Sequence, residues 1–186
     1  MEKDAYGRIT KEDSVLLIID VQEKFVPHIR NIDEVIANCA RMASGCRALG
    51  VPVIVTEQYP EGLGRTVPEV QEAIGDTAIM EKTAFSVFAD PAISSEIEKL
   101  GRPNLMLAGV EAHVCLIKTA LDALAAGYSV HWIDDAISSR TKGNVRAARD
   151  RACRCGAFPS SAEMALFQLI SSSKDEHFRA ISKLVK

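Results

Sequence analysis

The sequence predicts an α/β fold: a parallel sheet with helices packed on both faces. Three observations predict it. Short apolar runs such as "SVLLIID" and "NLMLAG" are too continuous to alternate, as befits strands buried on both faces. Segments with apolar residues at helical spacing separate those runs. Glycine recurs where a helical segment gives way to the next run, the usual place of a helix C-terminus. With 186 residues, 47% of them hydrophobic, residues 1–186 suit a single domain with a full core.

The elements follow in order. Ser14–Asp20 is the first strand. Asn31–Leu49 is a helix whose apolar face holds Ile32, Val35, Ile36, Cys39, Met42 and Ala43, with Gly50 after it. Val51–Thr56 is the second strand. The stretch "EQYPEGLGRTVPEV", rich in Gly and Pro, predicts an ordered loop or short turns. Thr77–Lys82 is a third, weaker strand, and Ile93–Leu100 a helix closed by Gly101. Asn104–Gly109 is the fourth strand, His113–Ala126 the helix after it, and Tyr128–Asp134 the fifth strand. Lys142–Cys155 is helical, "AFPS" a brief strand, Ser161–Ser171 a helix and Lys174–Val185 a terminal helix.

Composition excludes several classes of function. The formal net charge is −3, so no basic surface for nucleic acid is expected. No apolar run reaches the ~18 residues needed to span a bilayer. The opening "MEKDAYGRITKEDS" is polar and lacks the apolar centre of a signal peptide, which points to a cytoplasmic protein. There are five cysteines, an odd number with no CxxC pair, so a disulfide framework is not expected.

Right-handed crossovers place every strand's carboxyl end on one edge of the sheet, where ligands bind near the switch in strand order. The first strand ends in Asp20 and the third in Lys82. The fourth leads through Gly109 to Cys115 at the start of a helix. Taken singly, a charged residue ends a strand because the strand has met water. Taken together, the three make a nucleophile with its base. A helix N-terminus and an ammonium favour the thiolate, a carboxylate can take the thiol proton, and backbone amides entering the helix can hold an oxyanion. Such a thiol is expected to react below the ~8.5 of a free cysteine.

The blocks "LLIIDVQEKF", "EKTAFSVF" and "LAGVEAHVCLIKTALDALAAGYSVHWIDDAISSR" resemble the motifs of the isochorismatase-like cysteine hydrolases. "TEQYPEGLGRTVPEV" is similar to the subgroup of isochorismatase-domain-containing proteins, and the resemblance runs from about Ser14 to Lys186. It implies a three-layer α/β/α Rossmann-like fold with a six-stranded parallel sheet. It also implies Cys115 as nucleophile, Asp20 as general base and Lys82 as the cation beside them. A cis bond between Val110 and Glu111 is implied too, with the amides of Glu111 and Cys115 facing the oxyanion, as is a homo-oligomer. The nicotinamidase branch holds a metal through paired histidines in the loops after the second strand. Here no histidine stands between His28 and His113, so neither metal nor cofactor is expected. True isochorismatases lack the cysteine, so Cys115 argues against vinyl-ether cleavage.

Gln22, Phe25, Tyr59 and Phe85 are assigned to the substrate pocket, Phe25 and Phe85 with packing in the core as the alternative; Tyr59 and Gln58 either touch substrate or serve loop shape or an oligomer contact. His113 precedes the thiol by two positions, and helical residues two apart diverge, so it is not expected to pair with Cys115. Asp134 and Asp135 read as a solvated strand end or as bonded to the next loop. "DAISSR" (Asp135–Arg140) serves either a subunit contact or the placing of a loop. The function these residues support is cysteine-dependent hydrolysis of a small carbonyl compound, an amide first of all, through a thioester. A non-enzymatic oligomeric scaffold and a thiol redox sensor are the rival classes. The expected partners are a small-molecule substrate and further copies of the chain, with no nucleic acid and no membrane.

Overall fold

The structure, a computed structural model, describes residues 4–186; residues 1–3 of the polar opening lie outside the described residues. Six parallel strands form one sheet: β1 (Ser14–Ile19), β2 (Val53–Gln58), β3 (Ile79–Lys82), β4 (Asn104–Gly109), β5 (Ser129–Ile137) and β6 (Phe158–Ser160). Their spatial order is β3-β2-β1-β4-β5-β6. The helices are α1 (Ile32–Ala48), α2 (Pro60–Leu63), α3 (Pro68–Ile74), α4 (Pro91–Lys99), α5 (Ile117–Ala125), α6 (Lys142–Arg154), α7 (Ala162–Gln168) and α8 (Phe178–Leu184).

The central strand explains the layering. Leu16 and Ile18 of β1 join a core with residues of α1, α3, α7 and α8. Val15, Leu17 and Ile19 point the other way into a core with residues of α4, α5 and α6. Every residue of β1 and β4 is buried, so after Ser14 and Asn104 both read as apolar runs. The three-layer α/β/α arrangement with a six-stranded parallel sheet is therefore the observed one. Among the described residues, no helix is long and apolar enough to cross a membrane.

Some boundaries differ from the sequence expectation, each for a physical reason. The second strand starts at Val53, not Val51, because the Val51 amide closes the end of α1 on the Cys46 carbonyl (2.8 Å). It runs on through Glu57 and Gln58, which pair in register with Glu81 and Lys82 of β3. The Gly- and Pro-rich stretch is not all loop: Pro68 opens α3, which buries Val70, Ala73 and Ile74. Seven residues give too short a period to stand out beside so many turn formers. β5 extends to Ile137, so Asp134 and Asp135 lie within the strand rather than at its end. Asp135 accepts from the Ala162 amide (2.8 Å) at the start of α7, and Asp134 pairs with Arg149 (2.8 Å). The helix after β4 begins as a π turn, Ala112–Leu116, before α5.

Candidate active site

Strand order reverses at β1: the chain lays β2 and β3 on one side of it, then returns to place β4 on the other. The carboxyl ends of β1 and β4 therefore form the switch point of the sheet. Asp20 follows the first of these ends and the π turn with Cys115 follows the second.

Gly109 makes that approach possible. It pairs with Ile19 in register and has φ 119°. A side-chain carbon there would run into the Ile19 carbonyl. The same carbonyl accepts from the Val110 amide (2.9 Å), which locks the chain as it leaves the sheet. The next peptide, Val110–Glu111, is cis.

Asp20 is fully buried at φ 56°, a left-handed conformation that aspartate tolerates better than most residues. Its Oδ1 accepts from Thr56 Oγ1 (2.7 Å) and its Oδ2 from Lys82 Nζ (2.7 Å). The thiol of Cys115 is close enough to this carboxylate for each group to shift the other's proton affinity. Lys82 reaches Asp20 from two strands away. Its ammonium is shared with Gln58 Oε1 (2.7 Å) and the carbonyls of Ala84 (3.3 Å) and Phe85 (3.4 Å). Three residues from distant segments thus meet in one buried cluster.

The electrostatics differ from the sequence expectation. Burial pushes the Asp20 carboxyl up, against the pull of Lys82, Thr56 and the thiol. Burial also pushes the Cys115 thiol well above its ordinary range, the Asp20 charge adds to the rise, and Lys82 only partly opposes it. Both effects favour the protonated thiol over a stored thiolate. The reason is geometric: the Lys82 ammonium is already spent on Asp20.

The other expected pocket residues fall in different places. Gln22 is buried, and its amide is committed to the backbone. Nε2 donates to the carbonyls of Gln58 (3.0 Å) and Gly64 (2.7 Å), and Oε1 accepts from the Gln58 amide (2.8 Å). Gln22 therefore ties two loops together and has no spare donor for a ligand, a correction to its expected role. Phe25 is half-buried and packs against the core shared with α1. Tyr59 and Phe85 are 54% and 48% exposed, and so are open to a ligand. Tyr59 lines a groove of about 300 Å³ together with Glu61, Glu81, Lys82 and Thr83. Size alone does not locate a site. A groove of about 400 Å³ by Ile54, Met80 and Leu100 carries no nucleophile.

"DAISSR" places a loop. Arg140 Nε donates to Glu111 Oε1 (2.6 Å), Ser139 Oγ meets His113 Nδ1 (2.7 Å), and Ser138 Oγ donates to the Arg30 carbonyl (2.7 Å). His113 is held by that loop and turned to Ser139 and Arg140. The Ala112 amide is taken by Ser138 and the Val114 and Leu116 amides by the Glu111 carbonyl, while the Glu111 amide has no partner among the described residues. Gln58, read from the sequence with Tyr59 as a loop residue that touches substrate, accepts instead from Lys82 Nζ (2.7 Å). Thr56 and Arg140 carry no site role in the sequence reading; the threonine within the run "VIVTEQ" is the one available signal for the first.

An isochorismatase domain profile matches residues 14–164. The chain belongs to the isochorismatase family. Isochorismatase domain-containing protein 2 of Danio rerio is 40% identical over 182 residues, covering 96% of this chain and 90% of that protein. A structure described as the MAR1 ribonuclease of Caenorhabditis elegans superposes with a TM-score of 0.91 at 37% identity, covering 96% and 92% of the two chains. YcaC of Escherichia coli, described as an octameric hydrolase of unknown specificity, superposes with a TM-score of 0.89 at 22% identity, covering 95% and 88%. The last likeness is one of fold. As an isochorismatase-family chain, this protein places its Asp, Lys and Cys at the switch point of a hydrolase-family fold.

Proposed function

We propose that this isochorismatase-family protein is a cysteine-dependent hydrolase of a small carbonyl compound, an amide in the first place. The observation that carries the reading is the buried cluster in which Lys82 Nζ holds Asp20 Oδ2 (2.7 Å) and the Asp20 carboxylate acts on the Cys115 thiol. When a carbonyl arrives, Asp20 takes the thiol proton as sulfur bonds to the carbon, and the carbonyl electrons move to oxygen. The amides of Glu111 and Cys115 serve as its oxyanion donors. Collapse breaks the C–N bond, Asp20 passes its proton to the departing amine, and a thioester remains. Asp20 next takes a proton from water as the water attacks, and returns it to sulfur as the acid leaves. Burial that raises both groups suits a proton passed between them rather than a standing thiolate.

The rivals are less well supported. A scaffold gains nothing from a fully buried ion pair, which costs desolvation. A redox-sensing cysteine is exposed with a low pKa, whereas Cys115 is buried with a raised one. The name of the Caenorhabditis elegans relative brings RNA cleavage as a second reaction. A net charge of −3 and a lysine spent on a carboxylate offer no track for a phosphate backbone. We carry over a homo-oligomeric, cytoplasmic state as part of the same proposal.

Intact-mass measurement after incubation with an amide and ester library tests the reading. An acyl adduct on Cys115, lost with all turnover in Cys115→Ala, is expected. Full turnover in that variant overturns it.

A further inference from the structure

Lys118 stands three residues beyond Cys115, on an adjacent part of the same helical surface. Its ammonium lies over the Phe85 ring, 5.4 Å from the centroid. Asp122, one turn on, is the natural partner for an (i, i+4) pair, yet Lys118 leaves it. The side chain instead lies on the Phe85 ring. Among the described residues no carboxylate comes within ion-pair distance of Lys118.

Phe85 links this cation to the nucleophile. Its carbonyl accepts from Lys82 Nζ (3.4 Å), and its ring is about half exposed under Lys118. A closed circuit results: Cys115 to Asp20, Asp20 to Lys82, Lys82 to Phe85, Phe85 to Lys118, and one helical turn back to Cys115. Most other charges about the site are engaged. Asp20 is held by Lys82, Glu111 by Arg140 and Glu81 by Arg65, and Asp90 accepts from the amides of Ala92 and Ile93. Glu61, in the groove by Tyr59, has no such partner. Lys118, one helical turn from the nucleophile, has no ion-pair partner among the described residues.

We propose that Lys118 selects substrates with a carboxylate a few bonds from the scissile carbonyl, a proposal that rests on the hydrolase reading of the same site. The exposed ammonium supplies the charge, and Phe85 holds it in place one helical turn from Cys115. The substrate class is then a small amide with an anionic end.

Two alkylating agents of equal reach and different charge test this without turnover: iodoacetate and iodoacetamide. Their rates at Cys115 are followed at pH 9 by peptide mass, which separates this thiol from the other four. The iodoacetate-to-iodoacetamide ratio is expected to fall about three- to tenfold in Lys118→Met, further in Lys118→Glu, and to return in Lys118→Arg. The influence of Asp20 and Lys82 is common to all four proteins and cancels. An unchanged ratio in Lys118→Met overturns the proposal. So does a Cys115 that resists both reagents in the wild-type protein, since no anion then reaches the sulfur past Lys118. Failure of the hydrolase reading is seen separately, as turnover that survives Cys115→Ala.

Discussion

Lys82 Nζ lies 2.7 Å from Asp20 Oδ2, and neither side chain touches water. A pair so placed is costly to break, because the surviving partner keeps its desolvation penalty and loses its compensation. Lys82→Met and Asp20→Asn should each destabilise the fold by about 3–5 kcal/mol. The double variant should recover part of that loss, since neither group is then charged. Urea unfolding of the three variants measures it, and additive losses in the double variant would contradict the coupling.

The same pairing sets the behaviour of the thiol. With the ammonium neutralised, burial and the Asp20 charge hold the proton on Cys115. Alkylation of Cys115 by iodoacetamide should keep accelerating beyond pH 9. A rate that levels off below pH 8 would show a stored thiolate and refute the proton-transfer picture.

Arg140 touches no reacting atom but grips Glu111, whose amide faces the proposed oxyanion. It is a positioning residue. Arg140→Ala should lower kcat about tenfold with KM little changed, and cost under about 1 kcal/mol of stability, as its guanidinium is largely exposed. Arg140→Lys, which keeps the charge without the fork, should recover part of kcat. Steady-state kinetics on any substrate that acylates Cys115 decides this; a loss confined to KM would argue against positioning.

His131 supplies a pH-dependent term far from the chemistry. It is buried on β5, stacks on Phe158 at 5.5 Å, and its Nε2 has no partner among the described residues. Burial pushes its pKa down to about 4, opposed weakly by Asp13. The unfolded chain takes up this proton near pH 6.5 and the folded one does not. Stability is therefore intact above about pH 6.5 and falls between 6.5 and 4, by roughly 3 kcal/mol in all. Urea titrations across that range should show the loss, and His131→Leu should flatten it.

Gly109 is the position where a single methyl should do most harm to the site's frame. Gly109→Ala adds a carbon against the Ile19 carbonyl at a φ that alanine resists. A loss of about 2 kcal/mol or more in thermal or urea unfolding is expected. A neutral result would mean that β1 and β4 can part without cost.

Much of this molecule was legible because its signals are local. "SVLLII" and "NLMLAG" are apolar after their first residue because both faces of β1 and β4 are covered, and their bounds could be read almost to the residue. α3 was hidden, since seven residues behind a proline carry too little period. Gln22 shows the limit for the site. A polar residue after a strand end reads as a ligand contact, and only the folded loop shows its amide spent on Gln58 and Gly64.

The sequence by itself determined the α/β order, the strands that end at one edge, and the three residue types at their tips. Tertiary structure alone decided who pairs with whom. A lysine near a cysteine favours the thiolate, but a lysine that reaches a carboxylate first does not. That choice depends on β2 lying between β3 and β1, on Thr56 and Gln58 lining the path, and on how little water remains. No local pattern encodes those distances, because they arise from the packing of segments more than 60 residues apart.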